Sequence, residues 1–542
     1  MNWASGAGLR TPPSTTTCQL RMGKGTQMSD SVVILSRNVF PATGAAAFDG
    51  FVAVEGGIIK AVGAAGDASR YTAGAARVID AGERTVMPGM TDVHTFFSGW
   101  VLEGLGCDLS GARDADEGIA ALRAYDAEHP GECGLFGRAW DPAGFGEDAE
   151  DRLTAAFPTR PVVAFTADRG TCWMNAAARE RYQFTPEACW SEMIWRMMPE
   201  YLASPEVQAR YHDYMRMLNV RGVTSIKEMT FDDYYGFADV MERMEQAGEM
   251  TLRVSMMSQP VGFGANVEHG IRMRDRFTGP FVSFSGYNRM TDRGVAGGLA
   301  EYIDPYTSDP TMRVGVPVEW ELIESELAAI DAAGFRYSLH CQGDGAVRHT
   351  VDAYDRLCAK DASGRLLNRH AITDLECTNP ADLERFGALG GIVEVYPQIQ
   401  SLDAAEDIRS MALRQIGPER FARFWNRRKM WDSGITVSCG TDLPLLVPHI
   451  GESIFCGCGG CFDDGVAINR ENMLTIPEML TAWTANGAYN CYAEDRLGTL
   501  EEGKLADLVV LDRNVLDIDP TQARGTGVAL TMSDGRIVHE SL

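Results

Sequence analysis

The two ends of the chain share one pattern of apolar and polar positions. From Val32 to about Val86, apolar and polar residues alternate in short runs separated by glycine-containing turns, as in GFVAVEGGIIKAVG. The C-terminal segment repeats this pattern in LADLVVLD, GVALTMSD and GRIVHESL. Alternation with a period of two is typical of strands with one buried face. We therefore expect residues 32–86 and 505–542 to form one composite β-sandwich, after a disordered tail over residues 1–31.

The middle of the chain, residues 87–504, alternates short apolar runs with helical stretches such as VEWELIESELAAIDAAG. Eight strand–helix units are the number that closes a (β/α)8 barrel, so the pattern predicts an α/β protein with a TIM-like barrel. The segment 107–215 is too long for a simple connection between the first and second barrel strands, and it is predicted to form an inserted subdomain. The predicted strands are Met90–His94, Gly222–Met229, Leu252–Ser258, Phe281–Gly286, Tyr337–Cys341, Ala371–Glu376, Gly391–Tyr396 and Thr436–Asp442.

Charge and composition exclude some partners. The 542-residue chain has a formal net charge of −26, which would repel nucleic acid and anionic membranes. No run of apolar residues is long enough to span a bilayer. The thirteen cysteines are scattered, many of them in apolar surroundings, which favours reduced thiols and a cytoplasmic location. We expect a small-molecule substrate and a homo-oligomer, most simply a dimer.

Ionisable residues stand at the ends of the predicted barrel strands. The loops that follow such strands build the active site of a (β/α)8 barrel. A single polar residue there is more often a hydrogen-bonded strand end, but several converging on one rim indicate a site. The residues concerned are His94, Lys227, Glu228, His340, Asp374, Glu376 and Asp442.

Several motifs resemble one family. VMPGMTDVHTFF resembles the PGxxDxHxH signature of the amidohydrolase superfamily, and GRAWDP, HCQGDGAV, GTDLP and LGTLEEGKLADLVVLD resemble its N-substituted formamide deformylase-like branch. The resemblance runs from about Val32 to the C-terminus. It implies the barrel, the composite β-sandwich, and hydrolysis of C–N bonds in amides or cyclic amides. In that family a metal-bound hydroxide attacks the carbon, and the aspartate of the eighth strand handles the proton.

The chain departs from the family's metal-ligand pattern. The second histidine of HxH is Phe96, and the fourth-strand lysine, whose carbamate bridges two metals, corresponds to Ser283. The sixth-strand histidine corresponds to Asp374, and the family's DGH triplet to residues 168–170 (DRG). A phenylalanine offers no lone pair, so we do not expect a two-metal site. The usual ligands that remain are His94, His340 and Asp442.

Three hypotheses stay open. The first is a mononuclear site on His94, His340 and Asp442, with Asp374 as a fourth ligand, because two histidines and a carboxylate form a known catalytic set. The second is a metal-free enzyme that uses the same rim for acid–base chemistry, which would also suit a lyase, hydratase or isomerase. The third is a non-catalytic barrel that binds a ligand. The expected cofactor is accordingly none, or one divalent metal such as zinc.

Candidate roles follow from these positions. We assign catalysis to Asp442, His340, Asp374 and Lys227. Lys227 could be a base with a lowered pKa or a salt-bridged strut to Glu228 or Asp374. Glu394 and Gln398, at the end of the seventh strand, are expected to line the pocket. The residues predicted to bind substrate are Tyr396, Glu376, Phe96 and Trp173.

Overall fold

The computed structural model describes residues 31–102, 105–131, 133–167, 170–183, 186, 196–202, 204–230, 236–260 and 264–542. The tail expected over residues 1–31 therefore lies almost entirely outside the described residues. The chain divides into two compact units. The larger unit contains Ser29–Trp100, His212–Asp232 and Met241–Leu542, and the smaller unit contains Val101–Tyr211 and Asp233–Val240.

The larger unit contains an eight-stranded parallel barrel whose strands follow one another in chain order. The circle is nearly closed by backbone hydrogen bonds between the end of the first strand and the segment that follows the last strand. Asp442 N donates to His94 O at 2.8 Å, and Phe96 N donates to Leu443 O at 2.8 Å. The predicted barrel is thus confirmed, with all eight strands in the expected order. Their bounds are Met90–Thr95, Val223–Thr230, Arg253–Ser258, Val282–Met290, Arg336–Cys341, Ala371–Asp374, Ile392–Val395 and Thr436–Cys439.

Helices cover the barrel, and local signals in the sequence fix several of their starts. The helix Ile476–Trp483 begins with a capping box formed by Thr475 and Glu478 and has Pro477 in its first turn. Three further helices, Phe97–Leu102, Pro205–Asn219 and Phe237–Gln246, run across the unit boundaries in the sequence. The other helices of the larger unit are Ser69–Thr72, Val267–Arg276, Trp320–Ala332, Asp344–Leu357, Pro380–Ala388, Ala405–Phe421, Arg427–Asp432, Ile450–Gly457 and Ala485–Asn490.

A second eight-stranded sheet in the larger unit combines both chain ends. The strand Thr85–Pro88 pairs antiparallel with Leu508–Leu511, which joins the two sets of strands. Arg253, on the third barrel strand, binds Asp507 through two hydrogen bonds of 2.9 and 3.0 Å and so ties this sheet to the barrel. The remaining strands are Ser31–Val39, Phe48–Glu55, Ile58–Ala64, Arg77–Asp80, Val528–Ser533 and Arg536–Glu540.

The smaller unit is built on a four-stranded sheet of Cys107–Asp108, Leu135–Trp140, Val162–Thr166 and Cys172–Met174. Its sequence lies mainly between the first and second barrel strands. Trp173 belongs to its hydrophobic core. Among its described residues, the helices that lie wholly within it are Ala115–Glu128, Ala149–Ala156, Ala176–Tyr182 and Met198–Leu202.

Because strands from both chain ends build one sheet, a cavity made in a C-terminal strand should destabilise the larger unit. Leu508 is fully buried in a cluster with Ile34, Val52 and Val86 from the other chain end. We expect Leu508→Ala to lower the free energy of unfolding by about 2–5 kcal/mol, because the substitution leaves a cavity. Urea denaturation followed by fluorescence measures this, with the exposed Leu402→Ala as the control. An equal, small effect of both substitutions would contradict the packing described here.

Candidate active site

His94 occupies the centre of the barrel mouth, near the end of the first strand. Its ring lies between two carboxylates, one on the seventh strand and one just after the eighth. Nδ1 is 3.3 Å from Oε2 of Glu394, and Nε2 is 3.8 Å from Oδ1 of Asp442. Only 3% of the His94 side chain is exposed. The seventh and eighth strands therefore present one carboxylate to each nitrogen of the same ring.

Glu394 is held by polar groups on every side. Its Oε1 forms an ion pair with the Lys227 ammonium and accepts from Asn490 Nδ2 at 3.1 Å. Its Oε2 accepts from Thr373 Oγ1 at 3.0 Å. Burial alone would raise the pKa of Glu394, but the charge of Lys227 and the hydrogen bond with His94 bring that pKa well below its usual range. The carboxylate is therefore ionised.

Lys227 is completely buried within the barrel. Its ammonium contacts Glu394 and Asn490 Oδ1, the latter at 3.1 Å. The expected partner of a Lys227 strut was Glu228 or Asp374, and the structure gives Glu394 instead. Burial lowers the pKa of Lys227 to about 8, and the charge of Glu394 opposes that shift. Glu228 serves a separate purpose, since it accepts backbone hydrogen bonds from Phe97 at 2.6 Å and Ser98 at 2.8 Å.

A second ion pair joins the fifth and sixth strands. His340 Nε2 lies 3.0 Å from Asp374 Oδ2. Burial lowers the pKa of His340, but the hydrogen bond and charge of Asp374 outweigh it and raise that pKa to about 9. The imidazole is therefore protonated at neutral pH. Among the described residues, its buried Nδ1 has no hydrogen-bond partner.

Asp442 follows the eighth strand in a left-handed backbone conformation with φ of 52°. Its side chain is 20% exposed, compared with 12% for His340 and 9% for Asp374. Burial raises the pKa of Asp442 to about 6, while the His94 and His340 rings act in the opposite direction. Asp442 is thus the most accessible of these ionisable groups, and it is largely ionised at neutral pH.

Two aromatic rings flank His94. The ring centroid of Tyr396 lies 5.6 Å from that of His94, and the centroid of Phe96 lies 5.8 Å away. The Tyr396 hydroxyl is buried and has no hydrogen-bond partner among the described residues. Burial, together with Asp442 and Asp374, raises the pKa of Tyr396 well above its usual range, so the hydroxyl stays protonated. The Tyr396 hydroxyl therefore has a proton to donate and no acceptor for it among the described residues.

The other residues predicted to bind substrate lie in different settings. The Glu376 carboxylate accepts from Val295 N at 2.9 Å, and burial together with Asp374 raises its pKa to about 8. Trp173 packs in the smaller unit against Trp140, at 6.1 Å between ring centroids, and Phe145, at 5.0 Å. The substrate contacts of Glu376, Phe96 and Trp173 stay predictions. Residues 168 and 169 of the DRG triplet lie outside the described residues.

One position that carries a metal ligand in the family offers no donor atom here. Phe96 supplies no lone pair. Ser283 is the second residue of its strand and lines a cavity with Pro280, Gly334 and Leu497, close to the N-terminal ends of the barrel strands. It lies at the end of the barrel away from His340, which is level with Met290 at the other end of that strand. The expected correspondence of Ser283 to the ligand lysine of the family is therefore not supported by its position. The usual family ligands that remain could hold one ion. His94 Nε2, Asp442 and His340 would hold it, and such an ion would have to compete with the proton on His340.

A separate cluster of Asp331, Cys358 and His370 also has metal-binding side chains close together. His370 Nδ1 lies 3.0 Å from Tyr337 N and accepts its hydrogen bond, and Nε2 lies 2.9 Å from Asp331. Asp331 also accepts from Ala359 N at 2.8 Å. Both ring nitrogens are therefore already used, and the cluster is a buried hydrogen-bond network that supports the fold.

An eight-stranded parallel barrel with ionisable groups at its strand ends defines the class of (β/α)8-barrel enzymes. The model of the amidohydrolase family matches residues 77–539 of this chain. The chain therefore belongs to the amidohydrolase family, which confirms the resemblance seen in the sequence.

Relatives of similar length support this membership. The chain is 23% identical over 528 residues to YtcJ of Bacillus subtilis, covering 90% of this chain and 96% of YtcJ. It is 22% identical over 560 residues to the N-substituted formamide deformylase of Arthrobacter pascens, covering 95% and 99%. In the part of the chain that the structure describes, no helix has the length and apolar composition needed to cross a membrane.

Solved structures share the fold at low sequence identity. A metal-dependent hydrolase from Pyrococcus horikoshii has a TM-score of 0.68 and 18% identity, covering 91% of this chain and 99% of that chain. Atrazine chlorohydrolase TrzN from Arthrobacter aurescens, whose structure is a complex with zinc, has a TM-score of 0.52 and 14% identity, covering 94% and 95%. These similarities establish the architecture.

The His340–Asp374 pair predicts an unusual titration. NMR of the His340 ring should give a pKa near 9, and Asp374→Asn should lower that pKa, because burial is then opposed only by the charges of Asp292 and Asp442. Since the pKa is raised in the folded protein, the pair stabilises the fold fully below pH ~6.5 and loses that contribution as the pH rises through about 9. A His340 ring that titrates near pH 6.5 in both proteins would contradict the ion pair.

Proposed function

We propose that this chain hydrolyses a C–N bond of a small amide or cyclic amide, and that it does so without a two-metal centre. Family membership and the Arthrobacter pascens deformylase relative support the reaction class. The main support for a site without a two-metal centre is the contact between His340 and Asp374. His340 and Asp374, which correspond to two histidine ligands of the family, face each other at 3.0 Å as an ion pair. A fixed positive charge thereby stands where the family uses a metal.

Amide hydrolysis needs a donor for the carbonyl oxygen, because that oxygen gains negative charge in the transition state. The protonated His340 and the Tyr396 hydroxyl are both buried donors with an unfilled hydrogen bond among the described residues. Either can donate to a substrate oxygen. A preorganised donor of this kind typically contributes about 10²–10³-fold to the rate.

Hydrolysis also needs a base for the water and an acid for the departing nitrogen. Asp442 is the most accessible carboxylate of the mouth and is ionised at neutral pH, so it can take the proton from water. The same carboxyl group, once protonated, can pass that proton to the leaving nitrogen. This assignment agrees with the role that the resemblance gives to the eighth-strand aspartate.

The charge of the mouth favours a neutral or cationic substrate. Lys227 offsets Glu394, and His340 offsets Asp374, which leaves Asp442 as the unmatched charge in this group. An anionic substrate would meet that carboxylate without compensation. Neutral formamides, lactams and cyclic imides are therefore the first compounds to test.

A single-metal hydrolase is the second candidate function. The contact of His94 Nδ1 with Glu394 leaves Nε2 free, which is the usual arrangement of a histidine that binds a metal. One divalent ion such as zinc, held by His94, Asp442 and His340, would supply Lewis-acid chemistry. The same residues without an ion would also suit a lyase, hydratase or isomerase, and analysis of the products distinguishes these reactions from hydrolysis.

Elemental analysis tests the metal question. Protein purified without chelators should contain less than two equivalents of zinc, manganese or iron per chain, because the usual family ligands that remain could hold one ion. Activity that survives treatment with a chelator favours the metal-free enzyme, and one equivalent required for activity favours the single-metal candidate. Two equivalents that are lost together in His94→Ala and His340→Ala would overturn the proposal.

Substitutions test the proposed catalytic roles. Asp442→Asn and His340→Ala should each lower turnover of a neutral amide by about 10²–10⁴-fold, since each removes a proton carrier or a donor. Asp374→Asn should have a similar effect in a metal-free enzyme. Amine release measures turnover, circular dichroism confirms folding, and His212→Ala on the partly exposed His212–Glu249 pair is the matched control. Near-normal turnover by Asp442→Asn would place the base elsewhere on the rim.

A further inference from the structure

The contacts of His94 determine which of its nitrogens can carry a proton. Nδ1 lies 3.3 Å from Glu394 Oε2, within hydrogen-bond range, whereas Nε2 lies 3.8 Å from Asp442 Oδ1, beyond it. A carboxylate can only accept hydrogen bonds. A neutral His94 ring therefore places its proton on Nδ1 and presents the lone pair of Nε2 towards Asp442.

Glu394 cannot turn away from His94, because its surroundings fix both oxygens. Lys227 and Asn490 bind Oε1, while Thr373 and His94 bind Oε2. Asn490 also donates to Ser438 Oγ at 2.8 Å, which fixes the orientation of its own amide. All these side chains belong to the larger unit and are buried. The arrangement connects a fully buried lysine to the ring at the centre of the mouth.

We propose that Glu394, held by Lys227 and Asn490, positions His94 in the Nδ1–H tautomer so that His94 Nε2 and Asp442 Oδ1 together bind the attacking water. The inference rests on the proposed hydrolase function and gives that reaction its nucleophile site. Two acceptors 3.8 Å apart cannot bond to each other, but one water molecule can donate a hydrogen bond to each.

The step balances without any other reactant. The water oxygen bonds to the carbonyl carbon while Asp442 takes one of its protons. The C–N bond then breaks, and that proton moves to the departing nitrogen. His94 binds the water directly, whereas Glu394, Lys227 and Asn490 act through His94 as positioning residues. Lys227 therefore has no direct part in the proton transfer, which agrees with its complete burial.

The tautomer can be measured without a substrate. Nitrogen-15 NMR of the wild-type protein, recorded where the His94 ring carries a single proton and with the signal assigned by its loss in His94→Asn, should show that proton on Nδ1 and none on Nε2. Glu394→Gln should shift the proton towards Nε2, since the amide NH2 can then donate to Nδ1. Glu249→Gln, which removes the partly exposed carboxylate that pairs with His212, should leave the His94 signals unchanged.

Kinetics provide the second readout. Glu394→Gln should lower kcat by about 10²–10⁴-fold with a much smaller change in KM, because the tautomer affects the chemical step. Glu394→Asp should recover part of that loss. If Glu394→Gln leaves Lys227 uncompensated and fails to fold, Lys227→Met/Glu394→Gln removes both charges and should show the same change of tautomer.

The outcomes separate this inference from the proposed function. A singly protonated wild-type His94 ring with its proton on Nε2 overturns the inference even if the protein hydrolyses amides. Normal kcat in a folded Glu394→Gln protein overturns it as well. An Nδ1–H tautomer that depends on Glu394 supports the positioning, and a failure of that same protein to hydrolyse any amide would count against the proposed function alone.

Discussion

A buried charge in a barrel must be matched by an opposite charge or a hydrogen bond, because no water reaches it. The Lys227–Glu394 pair meets this requirement at the centre of the barrel, with neither side chain exposed. Removing one partner of such a pair typically lowers the free energy of unfolding by about 3–5 kcal/mol. The orientation of His94, and with it the shape of the mouth, depends on this pair.

The same constraint explains how the site departs from the family pattern. A metal ion compensates several carboxylates at once, and its loss would leave them mutually repulsive. In this chain His340 pairs with Asp374 and Lys227 pairs with Glu394, and under the proposed function these pairs supply that compensation. Asp442 has the most exposed side chain of the ionisable groups at the mouth. Among the described residues, its nearest ion-pair partner is His94, at 3.8 Å. The unmatched group is thus the one that a substrate or water can reach.

The barrel could be predicted from the sequence because its signal is local. Each strand is a short apolar run, and helical periodicity between the runs fixes their number and order. The strand ends also placed His94, His340 and Asp442 on one rim. The pairing of Lys227 with Glu394 could not be predicted, because contacts between the second and seventh strands depend on register and tilt. A charged residue within the apolar run GGIVEVYP was the only available signal for Glu394, and nothing in the sequence indicated Asn490.

The central claim is that side-chain charges occupy the place of the second metal. Anomalous diffraction from crystals grown with excess zinc tests it most directly. The account predicts direct contact between His340 and Asp374 with no anomalous peak between them, and at most one peak beside His94 and Asp442. Two peaks about 3.5–4 Å apart, one at His94 and one at His340, would be a two-metal centre and would contradict the account.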